Sequence, residues 1–410
     1  MNGKKSVSRL ESRAGQRFLP YGRQLVDEDD IEAVAEVLRG DWLTTGPKIE
    51  AFEEALAAKL GAAHAVSCSS GTAGLHLAMM AMGLGPGDSV IVPTMTFVST
   101  ATMVSQVGAE VVFADVDPDT GLMGAAQFAE ALERAGAAPV KAVIPVHLAG
   151  QCADLAEIAK LAEARGIHVV EDACHAIGSR YDDTLVGNCR DSTMAVFSFH
   201  PVKTIAMGEG GAVTTNDPAL RERLALLRNH GMIREPEAFA NAELAFDAGG
   251  SPNPWYCEMA EIGFNYRLSD INAALGLSQL GKLDRFAAKR RKLAETYDAL
   301  LVPIAPKVRP AGRVPNCDAV WHLYQVLIDF EAAGLSRSNL MDALKEDGIG
   351  SQVHYIPVHS QPYYRSRYGD AALPGSEVFY RKCLSLPLSA GMDENDVERV
   401  VESLKKRLKA

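Results

Sequence analysis

The chain has 410 residues, 47% hydrophobic and 23% charged, with a formal net charge of -11. That length accommodates two domains around a large core, and the acidic balance repels polyanions. The basic clusters Lys289–Lys292 and Lys405–Arg407 lie in helix-like stretches beside acidic residues, so they read as solvated faces and no nucleic-acid partner is expected.

Residues 1–20 are basic and polar, lack the apolar core of a signal peptide, and read as a lead-in. The stretch Gly46–Leu60 puts Ile49, Phe52, Leu56 and Leu60 on one helical face. Seven short apolar runs follow: Ala65–Ser70, Ser89–Thr94, Glu110–Val116, Lys141–Leu148, Ile167–Cys174, Met194–Phe199 and Gly211–Thr215. Runs of this kind suit strands buried on both faces. Between several of them lie helix patterns, such as the stripe Leu155, Ile158, Ala159, Ala162 behind Asp154. This alternation predicts an α/β sheet layered between helices. A polar stretch over 234–254 is long for a loop. A helical pattern over Ser269–Leu301, a Pro-rich linker Val302–Cys317 and a smaller α+β region with strands near Trp321–Ile328 and Val353–Tyr355 complete the chain. A large domain over 21–300 and a small one over 301–410 are therefore expected.

No stretch approaches the ~18 apolar residues of a membrane span. The seven cysteines (Cys68, Cys152, Cys174, Cys189, Cys257, Cys317 and Cys383) are odd in number and never spaced C-x-x-C. No zinc site or disulfide framework is expected, and a cytoplasmic, reducing setting fits. Gly276–Lys282 spells G-x-x-x-x-G-K, but Leu283 follows where a phosphate-binding loop needs Ser or Thr, and the stretch reads as helix.

Three segments at predicted strand ends carry chemistry, where open α/β sheets bind ligands. Ser69–Gly74 is a small-residue turn entering a helix Leu75–Met82; it either cradles a phosphate or merely caps the helix. Glu171-Asp172 ends a strand, and an acid there serves as metal ligand, base, helix cap or holder of a protonated ring nitrogen. No second set of ligand-spaced residues supports a metal. Phe197–Lys203 delivers a lysine to a turn, with Glu209-Gly210-Gly211 beyond it. Such a lysine forms Schiff bases when its pKa is lowered, or is a plain surface residue. Together, cradle, Asp172 and Lys203 are the set that pyridoxal 5'-phosphate requires: an anion site, a carboxylate for the pyridinium nitrogen and an amine for the aldehyde.

With Leu43–Pro47, Ser70–Ala73, Pro93–Phe97, Glu171-Asp172, Phe197–Lys203, Gly208–Asp217, Arg228–Met232 and Gly263–Ala274 in this order, the sequence resembles the DegT/DnrJ/StrS group of sugar aminotransferases from about Tyr21 onward. The resemblance implies an aspartate-aminotransferase-like (fold type I) three-layer architecture, with a mixed seven-stranded sheet and a smaller C-terminal α+β domain. It implies that Lys203 and Asp172 are catalytic and that Gly71, Thr72, Ala73 and Ser198 hold the phosphate. Phe97 would stack on the ring and His175 touch its phenolic oxygen. Asn265 would reach the phosphate of a neighbouring subunit in a homodimer with shared sites. Tyr21, Thr45, Gly46, His230, Tyr355 and His359 would contact the nucleotide sugar. The His-Pro-Val-Lys loop, the stretch Gly276–Lys282 and His354–His359 resemble the pseudaminic-acid branch. That branch moves the amino group of L-glutamate to C4 of a UDP-linked 4-keto-6-deoxy-N-acetylhexosamine. Other keto-sugar nucleotides, GDP-4-keto-6-deoxymannose among them, are the alternative substrates. A sugar dehydratase of this group would carry His in place of Lys203.

Overall fold

The computed structural model describes residues 17–409. Most of the expected lead-in, residues 1–16, lies outside the described residues. Arg17–Pro20 are placed: Leu19 is buried and forms a parallel bridge to Ile349.

All seven apolar runs form one sheet. Its strands are β1 (His64–Cys68), β2 (Ser89–Pro93), β3 (Glu110–Ala114), β4 (Val140–Val143), β5 (His168–Asp172), β6 (Met194–Ser198) and β7 (Gly211–Thr215), in the order β1-β7-β6-β5-β4-β2-β3. Only β7 runs against its neighbours: it pairs antiparallel with both β1 and β6, and the other pairings are parallel. The carboxyl ends of β1, β2, β4, β5 and β6 therefore share one edge.

The period-2 alternation of strand side chains splits the core in two. Ala195 and Phe197 of β6 join Val143, Val169 and Ala212 under Phe52, Leu56, Phe128 and Ile158. Met194 and Val196 face the other way, with Val66, Val90, Val170 and Val213, under Leu75, Leu77, Ala101 and Leu224. Two helical layers thus enclose the sheet, as the α/β reading requires.

Local chemistry sets the helix starts. Ser70 caps the helix Gly71–Ala81 by accepting from the amide of Ala73, so this helix begins four residues before the expected Leu75. The stripe behind Asp154 forms the helix Leu155–Glu163, and Gly46 precedes the helix Pro47–Leu60. The expected single helix Ser269–Leu301 is two, Asp270–Leu280 and Leu283–Leu301, broken at Gly281-Lys282. The G-x-x-x-x-G-K stretch falls in that first helix and its break.

Three expectations need correction. The Pro-rich stretch Val302–Cys317 contains strand β8 (Val308–Pro310), whose pairing with β9 (Tyr324–Ile328) needs no amide from Pro310 at a strand end. Val353–Tyr355 is not a strand, and β9 pairs with β10 (Cys383–Leu386). The polar stretch 234–254 carries a short helix, Ala242–Ala245, and is anchored where Met232–Ile233 pairs with Glu258–Met259.

Candidate active site

A cleft of about 580 Å³ opens over the shared strand edge. Its wall includes Ser70, Gly71 and Thr72 after β1, Thr96 and Phe97 after β2, and Asp172 and His175 at the end of β5. Ser198 and Lys203 follow from β6, and Tyr21, His322, His354 and Tyr355 close it from the other side. The three segments singled out by their chemistry thus meet in one place.

The anion cradle is built by close backbone approach. Gly211 opposes both Cys68 and Ser198 in the ladder, and a Cβ on it would lie 2.3 Å from the carbonyl oxygen of Ser70. A Cβ on Gly71 would lie 2.8 Å from Cβ of Ser198 and 3.1 Å from the sulfur of Cys174. Only glycine fits at either position. The amides of Gly71 and Thr72 open the helix and have no intrahelical acceptor. The amide of Ala73 is already taken by Ser70 Oγ at 3.1 Å, and Ala73 itself is buried behind the cleft. Free donors, the helix dipole and the Ser198 hydroxyl suit a phosphate monoester.

Asp172 ends β5, buried, with Oδ1 accepting from the amide of Cys174 at 3.2 Å and Oδ2 from Thr100 Oγ1 at 2.7 Å. Its neighbour Glu171 points to the opposite face, where it binds His147 Nε2 at 2.8 Å and Ser192 Oγ at 2.5 Å. Among the described residues no three His, Cys, Asp or Glu side chains gather as a metal site. Lys203 sits in the turn after β6, its amide bonded to the carbonyl of His200. Burial pushes its ammonium below the usual lysine range, with Cys174 and Asp172 opposing that shift.

His175 joins a buried polar cluster. Its Nδ1 accepts from the amide of Ala149 at 3.3 Å, and its Nε2 lies 3.1 Å from the Tyr355 hydroxyl. Ala149 has φ of 61°, a strained conformation for a residue with a Cβ, and its carbonyl takes the amide of His322. Burial, then the charge of Lys203, holds His175 neutral, well below the usual histidine range. His354 is pushed down to about 3 by burial and then by Lys203. With Nδ1 occupied as acceptor, neutral His175 carries its proton on Nε2 and donates it to Tyr355. The phenol of Tyr355 is held well above its usual pKa, chiefly by burial and next by Asp172, so its own proton stays on.

The remaining candidates lie elsewhere. Thr45 and Gly46 line a separate cleft of about 320 Å³ with Glu53, Arg228 and Arg267. Gly46 and Lys48 donate their amides to the buried carboxylate of Asp270. His230 is exposed in a turn with φ of 62°. Asn265 is exposed and bridges to Asn229. His359 is buried, with Nδ1 2.7 Å from Thr94 Oγ1, and lines a different hollow beside Arg365 and Arg381. Of the sugar-contact candidates, Tyr21 and Tyr355 alone line the main cleft.

Sequence reasoning missed Thr100 and His322, and gave Thr96 and His354 no role of their own within Pro93–Phe97 and His354–His359. Thr96 and Thr100 carry a weak signal, two hydroxyls four apart at a helix start. His322, on the far side of the cleft, carries none.

The profile of the DegT/DnrJ/EryC1/StrS aminotransferase family matches residues 24–405. Among solved structures, the chain is similar to PseC of Helicobacter pylori, an aminotransferase involved in the biosynthesis of pseudoaminic acid. Identity is 31%, TM-score 0.85, and the match covers 96% of this chain and 100% of that one. It is equally similar to the aminotransferase TlmJ of Streptoalloteichus hindustanus, at 31% identity, TM-score 0.84, and 95% and 99% coverage. Spr1654 of Streptococcus pneumoniae, solved in its PLP form, matches at 26% identity, TM-score 0.83, and 96% and 99% coverage.

Proposed function

Since the chain belongs to the DegT/DnrJ/EryC1/StrS aminotransferase family, and is thus a pyridoxal-phosphate sugar aminotransferase, we propose that it moves the amino group of L-glutamate to C4 of a UDP-linked 4-keto-6-deoxy-N-acetylhexosamine, a precursor of pseudaminic acid. The observation that carries amine transfer is the convergence of Lys203, Asp172 and the Gly71 cradle on one cleft. The C4 reading draws on the His-Pro-Val-Lys loop, on His354–His359 and on the similarity to PseC along nearly the full length of both chains.

The residues present fit the cofactor. Gly71, Thr72 and Ser198 would hold its phosphate in a cradle where a Cβ is not tolerated. Asp172 would face the ring nitrogen, Phe97 the ring and Lys203 the aldehyde. Bound there, pyridoxal phosphate supplies an aldehyde that captures amines and a ring that withdraws electrons from the amine-bearing carbon.

The chain's own residues do the rest. Asp172, fixed by Thr100 and the Cys174 amide, presents a rigid anion that keeps an opposing N–H protonated. Nζ of Lys203, its pKa lowered by burial, takes the proton from the amine-bearing carbon of glutamate and later returns one to C4 of the sugar. The Tyr355 hydroxyl, accepting a hydrogen bond from His175 Nε2–H, directs its own hydrogen to the sugar's keto oxygen. Release of 2-oxoglutarate before the sugar enters gives ping-pong kinetics. Asn265, exposed on the surface, would meet the phosphate of a second copy, making the working unit a homodimer of cytoplasmic enzyme.

The test is the product. Incubation with L-glutamate and the UDP-linked 4-keto sugar is expected to yield a 4-amino sugar nucleotide, seen by mass and by the carbon-4 shift in NMR. Amination of a GDP-linked 4-keto-6-deoxymannose or a 3-keto sugar, with the UDP sugar untouched, would move the assignment to that substrate.

A further inference from the structure

Thr100 is fully buried in the helix Val98–Gln106. A buried hydroxyl is costly unless bonded, and a valine would fill the same space without that cost. The hydroxyl has three acceptors in reach: Asp172 Oδ2 at 2.7 Å, Thr96 Oγ1 at 2.7 Å and the carbonyl of Phe97 at 3.1 Å. It has one hydrogen. A carboxylate only accepts and binds most strongly, so the hydrogen goes to Asp172. Thr96, which lines the cleft, must then donate to Thr100. Two hydroxyls therefore point their hydrogens in series at Asp172, each strengthening the next.

The backbone of Asp172 is fixed as well: its amide donates to Pro145 and its carbonyl accepts from His147. With one donor on each carboxylate oxygen, the side chain has no free rotation. Each oxygen retains one lone-pair direction for a ligand N–H. Thr100 also donates its own amide to Phe97. One residue thus ties the aromatic at the cleft mouth to the carboxylate at its floor.

We propose that Thr100 is a positioning residue of the aminotransferase: through the chain Thr96–Thr100–Asp172 it orients and polarises the carboxylate that holds the ring nitrogen of pyridoxal phosphate protonated. The inference rests on that cofactor using this cleft and is independent of which sugar is aminated.

The test compares Thr100→Val, which keeps the shape and removes the donor, with Thr100→Ser, which keeps the donor. Apoprotein of each is titrated with pyridoxal phosphate labelled with 15N in the ring, and the ring-nitrogen shift, the Kd and the steady-state constants for glutamate are read. Thr100→Val is expected to move the ring nitrogen toward its unprotonated shift, weaken the cofactor roughly tenfold, as loss of a hydrogen bond to a charged group does, and lower kcat more than it raises KM. Thr100→Ser is expected to restore the shift. Thr96→Val leaves the Thr100 bond in place, and a smaller displacement of the same sign is expected. It carries the test if Thr100→Val does not fold. A purely structural Thr100 would lower the melting temperature and leave the nitrogen shift at its wild-type value. An unmoved shift in Thr100→Val, or in Thr96→Val where that variant carries the test, overturns the proposal.

Discussion

The Nε2 of His175 and the hydroxyl of Tyr355 lie 3.1 Å apart, and the Ala149 amide on the other side of the imidazole decides which of them donates. Because a backbone amide can only donate, neutral His175 gives its single proton to Tyr355, and the tyrosine's proton is free to serve the cleft. Tyr355→Phe removes that donor and leaves the buried Nε2–H of His175 unpaired. The expected loss in kcat/KM for the keto sugar is about tenfold to a hundredfold, in line with about 1.5–3 kcal/mol for a hydrogen bond to an oxygen that gains charge. Steady-state kinetics of the variant check this; unchanged sugar kinetics would remove Tyr355 from the substrate's contacts.

Lys203→Ala is expected to abolish turnover, since no other amine among the described residues lines the cleft. Pyridoxal phosphate should still bind through the Gly71 cradle and Asp172, but without the visible band of lysine-bound cofactor. Equilibrium dialysis and absorbance separate the two effects. A Lys203→Ala protein with full turnover would refute the assignment.

Burial lowers the pKa of Lys203, so its amine is neutral, and reactive, from a lower pH than a solvated lysine side chain. In apoprotein labelled competitively with an acylating reagent, the Lys203 midpoint is expected below the ordinary lysine value of about 10.4. A midpoint at or above that value would contradict the desolvated setting.

Gly71→Ala places a Cβ 2.8 Å from Cβ of Ser198, at a helix start pressed between two strands. The turn must shift and carry the free amides with it. Cofactor affinity is expected to fall by tenfold or more, while Gly136→Ala, whose Cβ would meet no atom within 4 Å, should leave cofactor affinity alone. Isothermal titration of both apoproteins decides.

In the small sheet's supporting helices, Asp347 accepts from Arg407 at 2.7 and 2.9 Å and from Ser403 at 2.6 Å. These bonds, Arg407 foremost, lower its pKa to about 2. The folded value is depressed below the unfolded one of about 3.9. The stabilisation is therefore complete above pH 4 and is lost as the pH falls toward 2. Asp347→Asn should cost about 1 kcal/mol at neutral pH and show a smaller loss of stability on acidification than wild type. Parallel acid-denaturation curves would contradict this.

The sheet was legible because its seven strands are short apolar runs, and both faces of such runs are buried. Asp172, Lys203 and the Gly71 turn were legible because each is an unusual residue at a strand end. The polar cluster behind them was not. Ala149, His175, His322 and Tyr355 come from distant segments, and nothing local in Ala149 announces a strained turn with its amide aimed at a histidine. Thr100 looks like any helical threonine until β5 is packed against it. Val353–Tyr355 reads as a strand because its residues are strand-like, yet it is Cys383–Leu386, fully buried with only Ser385 polar, that pairs with Tyr324–Ile328.

The central claim is that Lys203, Asp172 and the Gly71 cradle form a pyridoxal-phosphate site that exchanges an amino group between glutamate and a keto-sugar nucleotide. An absorbance spectrum of the protein loaded with pyridoxal phosphate, taken before and after L-glutamate and again after the UDP-linked 4-keto-6-deoxy-N-acetylhexosamine, tests it most directly. Loss of the visible band with glutamate and its return with the sugar are the predicted results. A protein that develops no visible band with pyridoxal phosphate, or whose band is indifferent to glutamate, would contradict the account.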